Sequence, residues 1–174
     1  GLAFLLATIA EFGNDGYLQY WQDLQQNGVK VAPDWSSAYY TEFSQYGGAY
    51  PLVVSYASSP AAEVLFADPP VETSPTGALT AAGMCFRQIE FAGVLRGSKN
   101  ETLAQAWIEF MLSDTFQADI PLQMFVYPSQ PHVALPDVFI ANTMPVIQPA
   151  TLDAETIVAE RDGWLQAWDA LFLR

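Results

Sequence analysis

The sequence predicts an α/β protein, on three observations. Short apolar, β-branched runs alternate with segments whose apolar residues recur every three to four positions. The strand-like runs are bounded by Gly, Pro, Asn and Ser clusters. Of 174 residues, 51% are hydrophobic and 14% charged, which supplies apolar side chain for a sizeable core. That length suits one ordinary domain or two small lobes.

The elements follow in order. Leu2, Leu5, Leu6, Ile9 and Phe12 fall at helical spacing and predict an amphipathic or buried first helix. This run imitates a signal-peptide core, but no basic residue precedes it and it is too short to span a membrane. A chain that opens inside a helix reads as a fragment of a longer one. Gly13-Asn14-Asp15-Gly16 predicts a turn, with Asp15 as N-cap of a helix over residues 17–26. Leu18, Trp21 and Leu24 share one face of that helix, and Asn27-Gly28 closes it. Residues 29–31 read as a short strand. After the Pro33-Asp34-Trp35 turn, Ser36 or Ser37 starts a short helix through Phe43, and residues 45–48 form a loop. Residues 51–56 read as a buried strand ending in Tyr56. Ser59 is then the expected N-cap and Pro60 the first helical residue, where its missing N–H leaves no hydrogen bond unmade.

Residues 67–77 carry three prolines and no periodicity, and read as a linker. Residues 84–95 predict a long strand. Asn100 caps a helix whose Leu103, Ala104, Trp107, Phe110 and Met111 form an apolar stripe, expected in the core. Ser113 starts a short helix to Asp119, residues 121–127 are strand-like, and residues 128–149 are mostly loop. Residues 153–173 predict the last long helix. Its buried face holds Ile157, Val158, Trp164, Leu165, Trp168, Leu171 and Phe172, despite Gly163. No internal repeat is present.

Charge narrows the function. A net charge of −13 with only six Lys plus Arg argues against nucleic-acid binding, which needs cationic groups for phosphate. It also disfavours anionic membrane surfaces. An acidic chain with 14% aromatics suits a cationic aromatic ligand, while the excess carboxylates serve equally to keep the protein soluble. Cys85 is the single cysteine, so no intrachain disulfide forms and no Cys/His metal cluster exists. In its apolar setting it reads as an inert thiol. His132, the single histidine, lies among Pro128, Pro131 and Pro136 in a loop. No triad motif accompanies either residue, so the sequence predicts neither an enzyme nor a cofactor.

The candidate site is where a strand ends in an aromatic and feeds a helix start. The free N–H groups and positive end of a helix opening at Ser58-Ser59 attract anionic or strongly polar groups, and Tyr56 beside them offers a flat face and a hydroxyl. Upstream, Asp34-Trp35-Ser36-Ser37-Ala38-Tyr39 precedes Val54-Ser55-Tyr56-Ala57-Ser58-Ser59-Pro60-Ala61. The pair of motifs resembles the thiamine-binding extracytoplasmic proteins of ABC transporters, within the type 2 periplasmic binding protein superfamily. The run from Phe86 to Leu95, Ser98-Lys99-Asn100 with its helix, Met124-Phe125-Val126-Tyr127-Pro128 and the Trp-rich tail extend the resemblance over essentially the whole chain.

The resemblance implies a periplasmic-binding-protein-like α/β fold, of which this chain is the C-terminal portion contributing to two lobes. Residues 1–82 fall in the second, ligand-binding lobe, residues 83–96 in a crossover strand and residues 97–174 in the first lobe. It implies a periplasmic or membrane-anchored extracytoplasmic protein that captures thiamine or its phosphates and delivers them to a membrane permease. Trp35 and Tyr56 match ligand-stacking positions, and Ser58 and Ser59 match the helix start beside them. A thiazolium cation gains about 0.5–2 kcal/mol from an aromatic face. A third aromatic found in relatives is replaced by Ala62, with Tyr39 and Tyr40 as substitutes.

Two rivals come with the superfamily. Adjacent Tyr39-Tyr40 invites a ferric-iron or other small-solute reading, because hard cations favour oxygen donors. The pair lies at the Trp35 helix, however, not at the strand end. An enzyme on the same fold needs Cys85 as nucleophile with a neighbouring base, and nothing near Phe86-Arg87 supplies one. The exposed sheet edge of a lobe fragment needs a cover, and an intertwined homodimer is one way to provide it.

Overall fold

The computed structural model describes residues 1–172, and these form a predominantly helical chain. Its elements are α1 (Leu2–Gln26), α2 (Trp35–Ser37), α3 (Ser59–Leu65), α4 (Glu101–Met111), α5 (Asp114–Met124), α6 (Asp137–Asn142) and α7 (Ala154–Phe172). A π-helical turn at Ala38–Glu42 and a 3-10 turn at Ser44–Tyr46 follow α2. Among the described residues no helix is long and apolar enough to cross a membrane.

The expected strands are corrected. Among the described residues, β pairing consists of two isolated parallel bridges, Phe43 with Tyr50 and Phe86 with Ala150. Residues 29–31, 51–56 and 84–95 have the composition of strands but no ladder of hydrogen bonds, and a strand exists only against a partner. Residues 121–124 are helical, not strand-like, because α5 continues through Pro121. An interior proline removes a helix bond, at about 3 kcal/mol. Here the ring is fully buried, which offsets part of that cost.

The chain divides into two compact units. Unit one comprises Gly1–Ser55, Leu79–Gln88 and the chain from Pro145 onward; unit two comprises Tyr56–Ala78 and Ile89–Met144. Residues 1–82 thus contribute to both units, and α1 and α7 share one of them. The passage at Gln88 to Ile89 falls inside the expected crossover, residues 83–96.

Unit one is organised around Trp21. The predicted pair of N-terminal helices is present: α1 is two helices that meet at a kink at Gly13, inside the expected turn, where a φ of 68° is open to glycine. That break lets both halves turn an apolar face inward. Leu5, Leu6 and Ile9 from the first half meet Tyr17 and Trp21 from the second and Trp164 from α7. The Trp21 ring stands edge-on to Phe4, Trp168 and Phe172 at 5.4, 5.5 and 5.7 Å. Its Nε1–H donates to Thr8 Oγ1 at 3.0 Å, and Trp164 Nε1–H donates to Asn14 Oδ1 at 2.8 Å. The C-terminus of α1 closes as predicted: Val29 N–H reaches Leu24 O and Gly28 N–H reaches Gln25 O, with Gly28 at φ 79°. Asp153 caps α7 through Thr156 N–H, which holds its carboxyl below the usual carboxylate range. The expected last residue of that helix, Leu173, lies outside the described residues. Val158, expected in the core, is 85% exposed.

Unit two packs α3 against α6, with Phe139 and Ala61 fully buried. The Phe125 ring sits 5.2 Å from Phe66 and 6.3 Å from Phe139. Buried Gln117 works as a polar tie: its amide donates to Met111 O at 2.7 Å and its carbonyl accepts from Ser129 N–H at 2.6 Å. The α4 stripe is corrected. Leu103 is 70% and Trp107 57% exposed, because helical period fixes which face is apolar but not what covers it.

Candidate functional site

In unit one, the residues that carry the site start from Asp34. Its side chain accepts the Ser37 N–H at 2.7 Å and so caps α2, one residue ahead of the expected start. The same bond holds the Asp34 carboxyl below its ordinary range, which keeps a negative charge next to Trp35. The helix then widens. Phe43 N–H reaches back to Ala38 O at 3.1 Å, the π-type spacing, and such turns are frequent at functional sites.

That widened turn gathers several rings, Phe43 among them at 5.5 Å from Tyr39. The Trp35 indole lies over the Tyr39 ring at 4.7 Å and 18°, a stacked pair. Tyr40 stands edge-on to Trp35 at 5.5 Å and 88°, and to Tyr46 at 5.0 Å and 73°. Tyr39 is 4% exposed and forms the base; Trp35, Tyr46 and Tyr40 are partly exposed, at 39%, 45% and 52%. Of the two tyrosines weighed as a third aromatic, Tyr40 is the exposed one and Tyr39 the buried support. Trp35 Nε1–H donates to Ser55 Oγ at 3.0 Å. Ser44 N–H bonds Tyr50 O and Tyr50 N–H bonds Glu42 O, which ties the loop to the end of the turn. Gly48 makes this closure possible. A Cβ there would lie 2.1 Å from the Glu42 carbonyl carbon and oxygen, and 2.6 Å from Thr41 O.

In unit two, Tyr56, Ser58 and Ser59 open α3. Tyr56 is exposed, and its carbonyl accepts the Ser59 N–H at 3.0 Å. Ser58, not Ser59, occupies the cap position, and Pro60 is the second helical residue. The Ser58 hydroxyl is buried and donates to the Phe125 carbonyl, so it ties the helix start to the end of α5. Ser59 is half-buried at the first turn.

The structure therefore groups Trp35 with Tyr39 in one unit and Tyr56 with Ser58 and Ser59 in the other. Two contributors escaped the sequence reading. Asp34 is legible in hindsight as a capping carboxylate three residues before Ser37. Ser55 carries no signal of its own, since only the tertiary fold brings it to the indole. Cys85 is half-buried, its Sγ 3.5 Å from Leu79 O, and burial pushes its thiol pKa up. A thiol held in its protonated form is a poor nucleophile. Among the described residues no cluster of His, Cys, Asp and Glu could hold a metal ion.

A partly exposed indole stacked on a buried ring is chemically suited to packing against a flat solute. The chain belongs to the family of bacterial extracellular solute-binding proteins, whose profile it matches over residues 1–154. It is 33% identical to the thiamine-binding periplasmic protein of Escherichia coli K12, across 97% of this chain and 48% of that relative. The proteins of the same name from Salmonella typhimurium and Brucella melitensis are 31% and 28% identical over the same shares. The chain thus spans about half the length of the curated relatives it matches. No solved structure matches it.

Proposed function

We propose that this chain is part of a solute-binding protein that captures thiamine or a thiamine phosphate outside the cytoplasmic membrane and hands it to the permease of an ABC transporter. The observation that carries the reading is the Trp35 ring, backed by Tyr39 and flanked by the charged Asp34. A thiazolium gains from an indole face, and its aminopyrimidine stacks offset on Trp or Tyr. A nearby carboxylate and a chain of net charge −13 favour a cation over an anion. The relatives named as thiamine-binding match nearly the whole of this chain, which supports the same solute here.

In this reading Trp35 offers the solute a stacking ring in unit one, with Tyr39 as its support; in unit two Tyr56 offers a ring of its own, and Ser58 and Ser59 shape the α3 opening. The chain is the C-terminal portion of a type 2 periplasmic binding protein and contributes to both of its lobes. Residues 83–96 act as the crossover, which is supported by the passage between units at Gln88 to Ile89. Residues 51–56 and 84–95, which pair in no ladder here, join an α/β sheet once the rest of the fold is present. No observation favours a homodimer, and it forms no part of the proposal. The test is a titration with thiamine, thiamine monophosphate, thiamine diphosphate, Fe(III) and spermidine in parallel. Saturable binding of a thiamine compound supports the reading; binding of Fe(III) or spermidine alone overturns it.

A further inference from the structure

We infer that residues 89–95 and the apolar face of α4 form one docking surface, and that its occupant is the remainder of a longer polypeptide. One strand of that remainder pairs with 89–95, and an apolar layer of it covers α4. The inference rests on the reading of this chain as part of a larger solute-binding protein, and not on which solute that protein holds. Two observations in unit two carry it. Among the described residues no backbone–backbone hydrogen bond reaches residues 89–94. Ile89, Phe91 and Leu95 fall on one face of a strand, and all three lie in water, Phe91 at 89% and Leu95 at 82% exposure. An unpaired run of that composition is a template for another strand. The second observation is α4 itself, an amphipathic helix of 11 residues with none buried. The Trp107 and Phe110 rings lie 6.4 and 5.4 Å from the Phe116 ring of α5, yet Leu103 and Trp107 stay mostly exposed. The two surfaces adjoin: an open hollow of about 380 Å³ is walled by Gly93, Val94 and Leu95 together with Ala104 of α4.

The comparison of lengths points to the occupant. A protein the size of the Escherichia coli relative, of which this chain matches 48%, brings about as much chain again. A partner that comes and goes leaves the strand edge and the apolar helix face in water between visits, which invites aggregation. A tethered segment covers them at all times. A second copy is disfavoured, because two chains of net charge −13 repel each other.

The test compares the 174-residue chain with the full product of the native gene. Amide hydrogen exchange on the unmodified proteins is expected to be fast over residues 89–95 in the shorter chain and slower by roughly a thousandfold or more in the longer one. Leu103→Cys adds a side-chain probe, read by mass spectrometry on the peptide that carries it. Iodoacetamide is expected to label the introduced thiol quickly in the shorter chain and roughly a hundredfold more slowly in the longer one, where the thiol is buried. Equal exchange and equal labelling in the two proteins overturn the inference, and so does a native product of only 174 residues. Protection that appears in the shorter chain and grows with its concentration assigns the surface to a second copy and overturns it too. Neither readout contains thiamine. Protection without thiamine binding therefore sinks the solute reading alone, and thiamine binding without protection sinks this inference alone.

Discussion

The Tyr39 ring lies beneath the Trp35 indole, 4.7 Å away and 18° from parallel, and it is the buried member of the pair. Removing it opens a hole under the indole. Tyr39→Ala is expected to cost about 3–5 kcal/mol, as for other large aromatic truncations. Tyr39→Phe keeps the ring and is expected to cost much less than Tyr39→Ala. Denaturant unfolding of the two variants checks this. Equal midpoints would mean that Tyr39 is no support.

Gly48 tests the loop that closes onto the π-turn. A methyl group there meets the Glu42 backbone at 2.1 Å, so the π-turn or the loop must move. Gly48→Ala is expected to destabilise by at least about 2 kcal/mol, toward the upper part of the overpacking range. It should also change the near-ultraviolet circular dichroism of the Trp35 and Tyr39 stack. A variant with wild-type stability and spectrum contradicts the geometry.

Much of the helical framework is legible in the residues. The close of α1 at Asn27-Gly28, the start of α5 at Ser113 and the Trp-rich face of α7 follow from capping and period. The misses have physical causes. Residues 121–127 read as strand-like, yet α5 runs to Met124 with Pro121 buried inside it. Residues 51–56 and 84–95 have strand composition, but pairing depends on a partner that local sequence does not contain. At the site, Trp35 and Tyr56 stand out through their motifs. The bond to Ser55 and the π-turn do not, because each depends on contacts made only after folding.

Cys85 provides a pH test. Burial raises its pKa, so near neutral pH the thiolate fraction falls below that of a free cysteine. Alkylation by iodoacetamide is expected to be slower than for glutathione near neutral pH, with its rise displaced to higher pH. Fast labelling at neutral pH would place an activated thiol here and revive the enzyme reading.

The exposed α4 face and the buried α6 ring make opposite demands. Leu103→Ser changes a side chain that is already in water and is expected to shift stability by less than about 0.5 kcal/mol. Phe139→Ala empties a fully buried site and is expected to cost about 3–5 kcal/mol. Thermal unfolding of both variants checks the assignment. A large loss from Leu103→Ser would show that the α4 face is covered in solution.

The most direct test of the proposed site is calorimetric titration of thiamine into the wild-type chain and into Trp35→Ala. Stacking on the indole predicts saturable binding to the wild type and a loss of roughly tenfold or more in the variant. Equal affinity in the two proteins, or no binding to either, would contradict a thiamine site built on Trp35.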